Sequence, residues 1–326
     1  EALDQGPSYE SRVPVSIDGS NNGLQIYSLM TRDEVGGAST NCAPSGAPRD
    51  IYQDVADAVL TALDGPFDDP KHALIASSWR RHFNGKVPRE AVKRSVMTLP
   101  YGATKYACQR YVREWFEGTT QDLMLFGDAG VYRPCYWLAQ MVWEAIGSTV
   151  GRARDCMDWL RSVAVAHAEL GIPVRWWSPS GFPVVQDYRQ FRTRRLKLRI
   201  GDQIRQPRSQ TELDLSDSQK SANGIAPNFV PSIDAACLVH VVNAMTAQVP
   251  GCSLQVVHDS FGTHAADAAR LSVQVRSSYR SVFEEDLLMG AFDQFSIAIP
   301  GGIPPPPAWR GTLDLNELDR SDYFFA

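Results

Sequence analysis

Two aspartates and one cationic stretch carry the residue types best suited to chemistry. Asp18 follows the apolar run Val-Pro-Val-Ser-Ile and Asp259 follows Leu-Gln-Val-Val-His, so each stands where a short strand gives way to a turn. An aspartate in that position is often a turn former or a helix cap. If the two strands pair antiparallel in one sheet, however, the carboxylates come together and can jointly bind hard divalent cations. Magnesium is commonly held by one or two carboxylates together with substrate phosphates. Between them in the chain lies Arg89 to Gly102, where a helix through Leu99 places Arg89, Lys93, Val96 and Met97 on one face with Tyr101 just beyond its end. Two cations and a phenol suit a polyanionic, sugar-bearing ligand such as a nucleoside triphosphate; the plainer alternative is a solvated helix face. Carboxylate-bound metals with Arg/Lys clamps are what phosphoryl transfer requires, because positioning and charge stabilisation supply most of that catalysis.

The elements that must position these residues read as an α+β chain that is predominantly helical. Val13 to Ile17 is expected to be a short buried strand, followed by turn chemistry in Gly-Ser-Asn-Asn-Gly and a helical pattern from Leu24 to Arg32. Residues 36–49, rich in Gly, Ala, Ser and Pro, read as a loop, and Ile51 to Leu63 as an amphipathic helix ending near Gly65-Pro66. Residues 66–70 read as a linker and Trp79-Arg80-Arg81-His82 as a basic stretch. The spacing from Tyr132 to Leu170 predicts helix broken near Gly147 to Gly151, with Trp137, Leu138, Met141, Val142 and Trp143 as its apolar body. Val174 to Trp177 and Val184 to Phe191 read as a hairpin, Pro231 to Thr246 as a helix, Ser253 to Val257 as a buried strand, His258 to Gly262 as a tight turn, and Ala265 to Phe283 as a helix.

Electrostatically the chain is uneven. With 326 residues and a formal net charge of -5, it does not advertise nucleic-acid binding as a whole. From Arg189 to Arg208, however, eight cations (Arg189, Arg192, Arg194, Arg195, Lys197, Arg199, Arg205, Arg208) face a single acid, Asp202. Arg195, Lys197 and Arg199 alternate with Leu196, Leu198 and Ile200, a period-two pattern, and Gly201-Asp202 supplies a turn. Ser209 to Asn223 then reads as a polar, mobile return limb. A basic hairpin of this kind can enter a DNA groove, or it can be a solvated edge kept soluble by its charges.

Other chemistries find no support in the sequence. Six cysteines are far apart with no C-x-x-C pair, which argues against a zinc site and a disulfide framework and fits a reducing compartment. No G-x-S-x-G elbow, Walker loop or Rossmann glycine fingerprint is present, and the six histidines are dispersed. No uninterrupted apolar run approaches membrane-spanning length, so no membrane partner is expected.

Three ordered motifs then resemble a known family. Asp18-Gly19-Ser20 with Gly23, Arg89-x-x-x-Lys93-Arg94-x-x-Met97-x-x-x-Tyr101-Gly102, and His258-Asp259-Ser260-Phe261-Gly262 look like the catalytic motifs of the single-subunit DNA-dependent RNA polymerases of bacteriophages, with mitochondrial and plastid relatives. The likeness extends through Arg32 to Gly37, Gly181-Phe182-Pro183, Gly224 to Val230 and the terminal Phe325-Ala326, and so covers essentially the whole chain.

The resemblance implies a right-hand polymerase whose palm is made of residues 1–34 and 232–326, with a fingers subdomain at 35–231. The fingers would include the nucleotide-binding helix at 89–102 and a promoter-specificity-like hairpin at 194–223. Asp18 and Asp259, assisted by the Gly19 carbonyl, would hold two Mg2+ ions. Arg89 and Lys93 would hold the incoming triphosphate, with Met97 on the same face, and Lys93 could protonate the leaving pyrophosphate. Tyr101 would close the nucleotide pocket and favour ribose, His258 would support the metal site, and Tyr52 would guide the template. Arg194, Leu196, Ile204, Arg205 and Gln206 would be candidate promoter readers. DNA template and promoter, nascent RNA and ribonucleoside triphosphates are the implied partners, in the cytoplasm of an infected bacterium or, alternatively, an organelle matrix.

Gly23 stands where DNA polymerases of the same architecture place a bulky Glu against the ribose 2'-hydroxyl, which favours RNA over DNA synthesis. Pro231 departs from the pattern, since phage relatives commonly carry there a histidine that contacts the ribose. Only seventeen residues precede Asp18, and the first is Glu1. The resemblance therefore implies an N-terminal promoter and thumb portion, covalent or on a separate chain. A catalytically incomplete DNA-binding subunit and a DNA polymerase of the same architecture are the competing readings.

Overall fold

Strand β1 (Val15–Asp18) turns at once into α1 (Asn22–Thr31) and the short α2 (Glu34–Ser39). The computed structural model describes residues 11–120, 125–308 and 310–326, so residues 1–10 of the expected first palm segment lie outside it. Helices α3 (Ile51–Leu63), α4 (Pro70–Phe83), α5 (Arg89–Thr98) and α6 (Lys105–Thr119) lead to the long pair α7 (Tyr132–Thr149) and α8 (Gly151–Glu169). Short strands follow: β2 (Val174–Trp177), β3 (Pro183–Gln186), β4 (Arg189–Arg195), β5 (Leu198–Ile200), β6 (Gln203–Arg205) and β7 (Arg208–Ser216). The chain closes with α9 (Ser218–Gln248), β8 (Leu254–Val257), β9 (Ser260–Thr263), α10 (Ala268–Glu284) and α11 (Leu287–Ser296). The expected mixed, mainly helical class holds.

Helix starts fall where a side-chain oxygen can satisfy free backbone N–H groups. Asn21 caps α1, Asp33 α2, Asp50 α3, Asp69 (with Pro70 next) α4, Thr104 α6 and Asp217 α9. Helix α1 is buried along its whole length and packs against α8 and α9, while α9 packs against α8 and α10. The first strand and the Asp259 turn are thereby anchored to one helical core.

Several expectations change. Strands β1 and β8 are largely exposed rather than buried, because they flank β9, whose Phe261, Gly262 and Thr263 are the buried residues of the sheet. Part of the expected loop at 36–49 is α2, for Asp33 supplies a cap and Gly36 and Gly37 are packed inside. The hairpin strand returning from the turn at 178–182 stops at Gln186, and Phe191 belongs to β4. The supposed mobile limb at 209–223 is strand β7 followed by the start of α9, since β7 pairs with β4 from Arg189↔Ser216 to Arg195↔Arg208. Helix α9 runs straight through Pro227 and Pro231, which lose backbone N–H donors but are embraced by packing at Ile225, Phe229, Val230 and Ile233. By length and composition α9 could cross a membrane, contrary to the sequence expectation; here it packs against α8 and α10 and carries a carboxylate, Asp234, in its middle.

Trp79, which opens the basic stretch Trp79-Arg80-Arg81-His82, turns inward. It is fully buried, donates Nε1–H to the Pro134 carbonyl at 3.1 Å, and packs against Phe83, Phe116 and Phe126 with ring centroids 4.8 to 5.2 Å away. Trp79→Ala should cost about 3–5 kcal/mol of stability, read from the urea midpoint; an unchanged midpoint would contradict this packing.

Candidate active site

The two aspartates meet through a strand that lies between theirs. In the three-stranded sheet the order is β1-β9-β8, so β1 and β8 do not pair directly; each pairs antiparallel with β9. Asp18 stands opposite Ser260, and Ser260 opposite Val257, leaving His258 and Asp259 as the two-residue turn between β8 and β9. His258 adopts φ +54°, a left-handed conformation that few non-glycine residues adopt. The Gly19 N–H donates to the Asp259 carbonyl at 3.3 Å and to Asp18 Oδ1 at 3.0 Å, tying the two acidic corners together. Strand alternation puts Ile17 and Phe261 on the core side and leaves Asp18 exposed.

The chain's last residues seal this corner. Asp18 and Ala326 exchange backbone hydrogen bonds, each at 3.2 Å, and Gln25 donates to the carbonyls of Phe324 at 2.8 Å and Thr40 at 3.0 Å. Gly19 is required by this crowding, because a Cβ there would come within 2.9 Å of Gln25 Oε1 and 3.3 Å of Phe325.

Gly23 sits in the first turn of α1, against the far end of the cationic helix. A Cβ on it would lie 2.7 Å from Pro100 and 3.2 Å from Tyr101 Oη, so the glycine allows α1 to pack closely against the end of the cationic helix. Beside it, Asn21 donates to Tyr52 Oη at 3.2 Å. Asn22 donates Nδ2–H to Asp234 Oδ1 at 2.6 Å and accepts from Tyr279 Oη at 3.1 Å. No motif marks Asp234; the available signal is that it is the one formally charged residue between Lys220 and Asp259, inside an otherwise apolar helix.

Helix α5 presents Arg89, Lys93 and Met97 in sequence steps of four, and Leu99–Tyr101 continues it as a 3-10 turn. Met97 and Tyr101 are nearly half exposed and Lys93 is exposed, whereas Val96 turns into the core rather than sharing their face. Arg89 is engaged: its Nε is 2.5 Å from Asp50 Oδ2, and its guanidinium lies 4.6 Å from the Tyr52 ring centroid. Asp50 therefore both caps α3 and steers Arg89, a role its sequence position does not reveal.

These groups feel one another's charge. Burial above all, then the Asn22 hydrogen bond opposing it and the Asp259 charge adding to it, leaves the Asp234 carboxyl raised from 3.8 to about 6. Burial, reinforced by Asp18, also raises Asp259. Tyr101 is pushed up to about 12 by burial, with Asp234, Asp259 and Tyr52 adding to the shift. Among the described residues no three His, Cys, Asp or Glu side chains gather as a metal cage. The Asp18 and Asp259 carboxylates are nonetheless hard oxygen donors held at one corner, a set that fits a cation completed by water and phosphate oxygens. All six cysteines are free, and five are buried, so none presents a reactive thiol at this corner.

The basic segment stands apart from that corner. Strands β4 and β7 carry it outward, and β5 and β6 close it at Gly201-Asp202, with Gly201 at φ +61°. Arg194 lies on β4, Leu196 just after it, Ile204 and Arg205 on β6, and Gln206 directly beyond; all are exposed. Leu198 and Ile200 are exposed too, so the expected apolar face has no packing partner among the described residues.

Asp18 at the end of β1 and Asp259 in the β8–β9 turn share one corner, and the charge of Asp259 reaches Tyr101 at the end of the cationic helix; the family comparison gives this arrangement a lineage. Residues 1–303 match the family described as DNA-dependent RNA polymerase, and the chain belongs to that family. It is 33% identical, over 97% of its length, to DNA-directed RNA polymerase 2B, chloroplastic/mitochondrial, of Nicotiana tabacum, spanning 30% of that relative. It is also 33% identical, over 98% of its length, to T7 RNA polymerase of Escherichia phage T7, spanning 41% of it. DNA-directed RNA polymerase 2A of Nicotiana tabacum is 32% identical over 97% of this chain and 92% of its own length.

The raised carboxyl of Asp234 has a measurable signature. A carboxyl whose folded pKa exceeds its unfolded value contributes stability that is complete below about 3.8 and lost as pH rises through about 6. Asp234→Asn removes that contribution, so the melting temperature of the variant minus that of the parent should rise from pH 4 to pH 7 in chelator-containing buffer. A difference independent of pH would contradict the burial of this carboxylate.

Proposed function

We propose that this chain is the catalytic part of a DNA-directed RNA polymerase, extending an RNA 3'-hydroxyl with template-selected ribonucleotides. The observation that carries the reading is the meeting of Asp18 and Asp259 at one corner of the β1-β9-β8 sheet, bridged by the Gly19 N–H. The stripe of Arg89, Lys93 and Tyr101 and the family membership support it. Residues 1–34 and 232–326 would form the palm, and residues 35–231 the fingers.

Asp18 and Asp259, with the Gly19 carbonyl, would hold two Mg2+ ions, which when bound stabilise charge on the attacking and leaving oxygens of an in-line displacement. The 3'-hydroxyl oxygen forms a bond to the α-phosphorus as the bond to pyrophosphate breaks. Lys93, exposed and free of ion pairs among the described residues, is suited to binding the triphosphate and giving a proton to the departing pyrophosphate. Arg89, oriented by Asp50 and Tyr52, adds a second phosphate contact. Tyr101 and Gly23 meet the sugar, His258 shapes the turn that presents Asp259, and Tyr52 guides the template.

The hairpin supplies promoter contacts: its cations bind phosphates, and Arg194, Leu196, Ile204, Arg205 and Gln206 read base edges. Its setting is the cytoplasm of an infected bacterium or an organelle matrix, the two represented among its relatives.

A second reading is favoured by the chain's spanning only 30% of one relative and 41% of another: a DNA-binding portion active only with a further promoter and thumb segment. Primer extension separates the two. The chain alone should extend an RNA primer on a DNA template with ribonucleotides, and Asp18→Asn or Asp259→Asn should each lower the rate by about a hundredfold or more without lowering the temperature of thermal unfolding. Full activity in both variants would sink the catalytic assignment, and extension only after adding a promoter and thumb segment from a relative would favour the second reading. In selections from randomised duplex DNA, Arg205→Ala should relax preference at one position, at a cost of about 1–3 kcal/mol; a uniform loss on all sequences would reassign it to phosphate.

A further inference from the structure

Asn22 is the first residue of α1 and is almost wholly buried, yet both ends of its carboxamide are used. Its Nδ2–H donates to Asp234 Oδ1 of α9 at 2.6 Å, a short bond to a charged acceptor, and its Oδ1 accepts from Tyr279 Oη of α10 at 3.1 Å. Tyr279 is itself fully buried. Three helices from distant parts of the chain are thus pinned at the residue next to Gly23. Gly23 in turn is the point where α1 meets Pro100 and Tyr101, with no room for even a methyl group. Asp234 is also close enough for its charge to be felt by Tyr101, and it feels the charge of Asp259 in turn.

We propose that Asp234 is a positioning residue for sugar selection: by holding Asn22 it fixes the first turn of α1, and with it the contact of Gly23 with Pro100 and Tyr101, in the setting that accepts a ribonucleotide. This rests on the polymerase reading and on Tyr101 meeting the sugar, and it deepens that reading. The physical reason is an asymmetry in hydrogen bonding. Removing the carboxylate leaves a buried Asn22 N–H pair short of an acceptor, so the side chain and the turn that carries it must move to find one. Gly23 has no side chain of its own to hold the turn in place. A shift of a few tenths of an ångström there alters the seat of the Tyr101 phenol, because contacts this close transmit displacement directly.

The test compares Asp234→Ala, Asp234→Asn, Asn22→Ala and the Asn22→Ala/Asp234→Ala double variant with the parent chain on an RNA-primed DNA template, measuring kcat and KM for a ribonucleotide and its deoxy counterpart. Asp234→Ala should raise the ribonucleotide KM more than it lowers kcat and should reduce the ribo-over-deoxy preference about tenfold, the size of one lost hydrogen bond to a charged group. Asp234→Asn, whose carboxamide oxygen still accepts from Asn22, should keep most of the preference, and the double variant should lose no more than Asp234→Ala alone. A merely structural Asp234 would lower the melting temperature and the active fraction while leaving the preference as in the parent, and that result overturns the proposal. So does an Asp234→Asn variant as undiscriminating as Asp234→Ala. An inactive parent chain overturns the polymerase reading of the chain alone and this inference with it, whereas an active parent with unchanged preference in Asp234→Ala overturns this inference only.

Discussion

Strand β9 is the constraint on which the rest of the structure depends. It pairs on one side with β1, from the first residues described, and on the other with β8, from the last quarter of the chain. Antiparallel register leaves little freedom: a slip of one residue would send Asp18 to the core face and Ile17 to solvent, so the burial of Phe261 beside Ile17 fixes where the carboxylate points. The Gly19 N–H to Asp259 bond and the exchange of hydrogen bonds between Asp18 and Ala326 then lock three distant stretches of chain into one corner. Folding is thereby tied to the site, because the acidic pair exists only when β1, the β8–β9 hairpin and the segment ending at Ala326 have docked together.

That corner sets opposed demands against one another. Burial is needed to fix geometry, but it penalises carboxylates, as the raised Asp259 and Asp234 show. The molecule answers with hydrogen bonds to backbone and to Asn22 and with glycines at 19 and 23, where neighbours approach too closely for any side chain. Cationic groups are carried instead on α5, and Asp50 and Tyr52 restrain Arg89 rather than neutralising Lys93. A divalent cation entering there would relieve the repulsion between Asp18 and Asp259, which is a reason for such a pair to be stable only as part of a functional site.

Much of this is legible in the residues themselves. The strand-end aspartates, the four-residue steps of α5, the break between α7 and α8 and the turn at Gly201-Asp202 all follow from local period and turn chemistry. Pairing order is different in kind. Both β1 and β8 look like partners for each other, and only the short Ser260–Thr263 segment, easily read as part of a turn, intervenes as the central strand. Proline rules place a boundary near Pro227 and Pro231, yet the surrounding packing carries α9 through both. Val96 shares the spacing of the cationic face but lies far enough round the helix to be buried, and the partnership of Arg89 with Asp50 joins two segments with no sequence signature in common. Asp234 escapes motif reading for the same reason: its significance lies in Asn22 and Tyr279, which only the fold brings to it.

The central claim is that Asp18 and Asp259 form one cation-binding corner, and affinity cleavage tests it most directly. Ferrous iron supplied as the cation, with ascorbate and peroxide, generates hydroxyl radicals where it binds and cuts the nearby backbone, and the cut positions can be mapped by mass spectrometry. The structure predicts paired cuts around residues 18 and 259, both suppressed by excess Mg2+ and both lost in Asp18→Asn or Asp259→Asn. Cleavage at only one of the two stretches, or cuts at both that respond independently to the two substitutions, would contradict it.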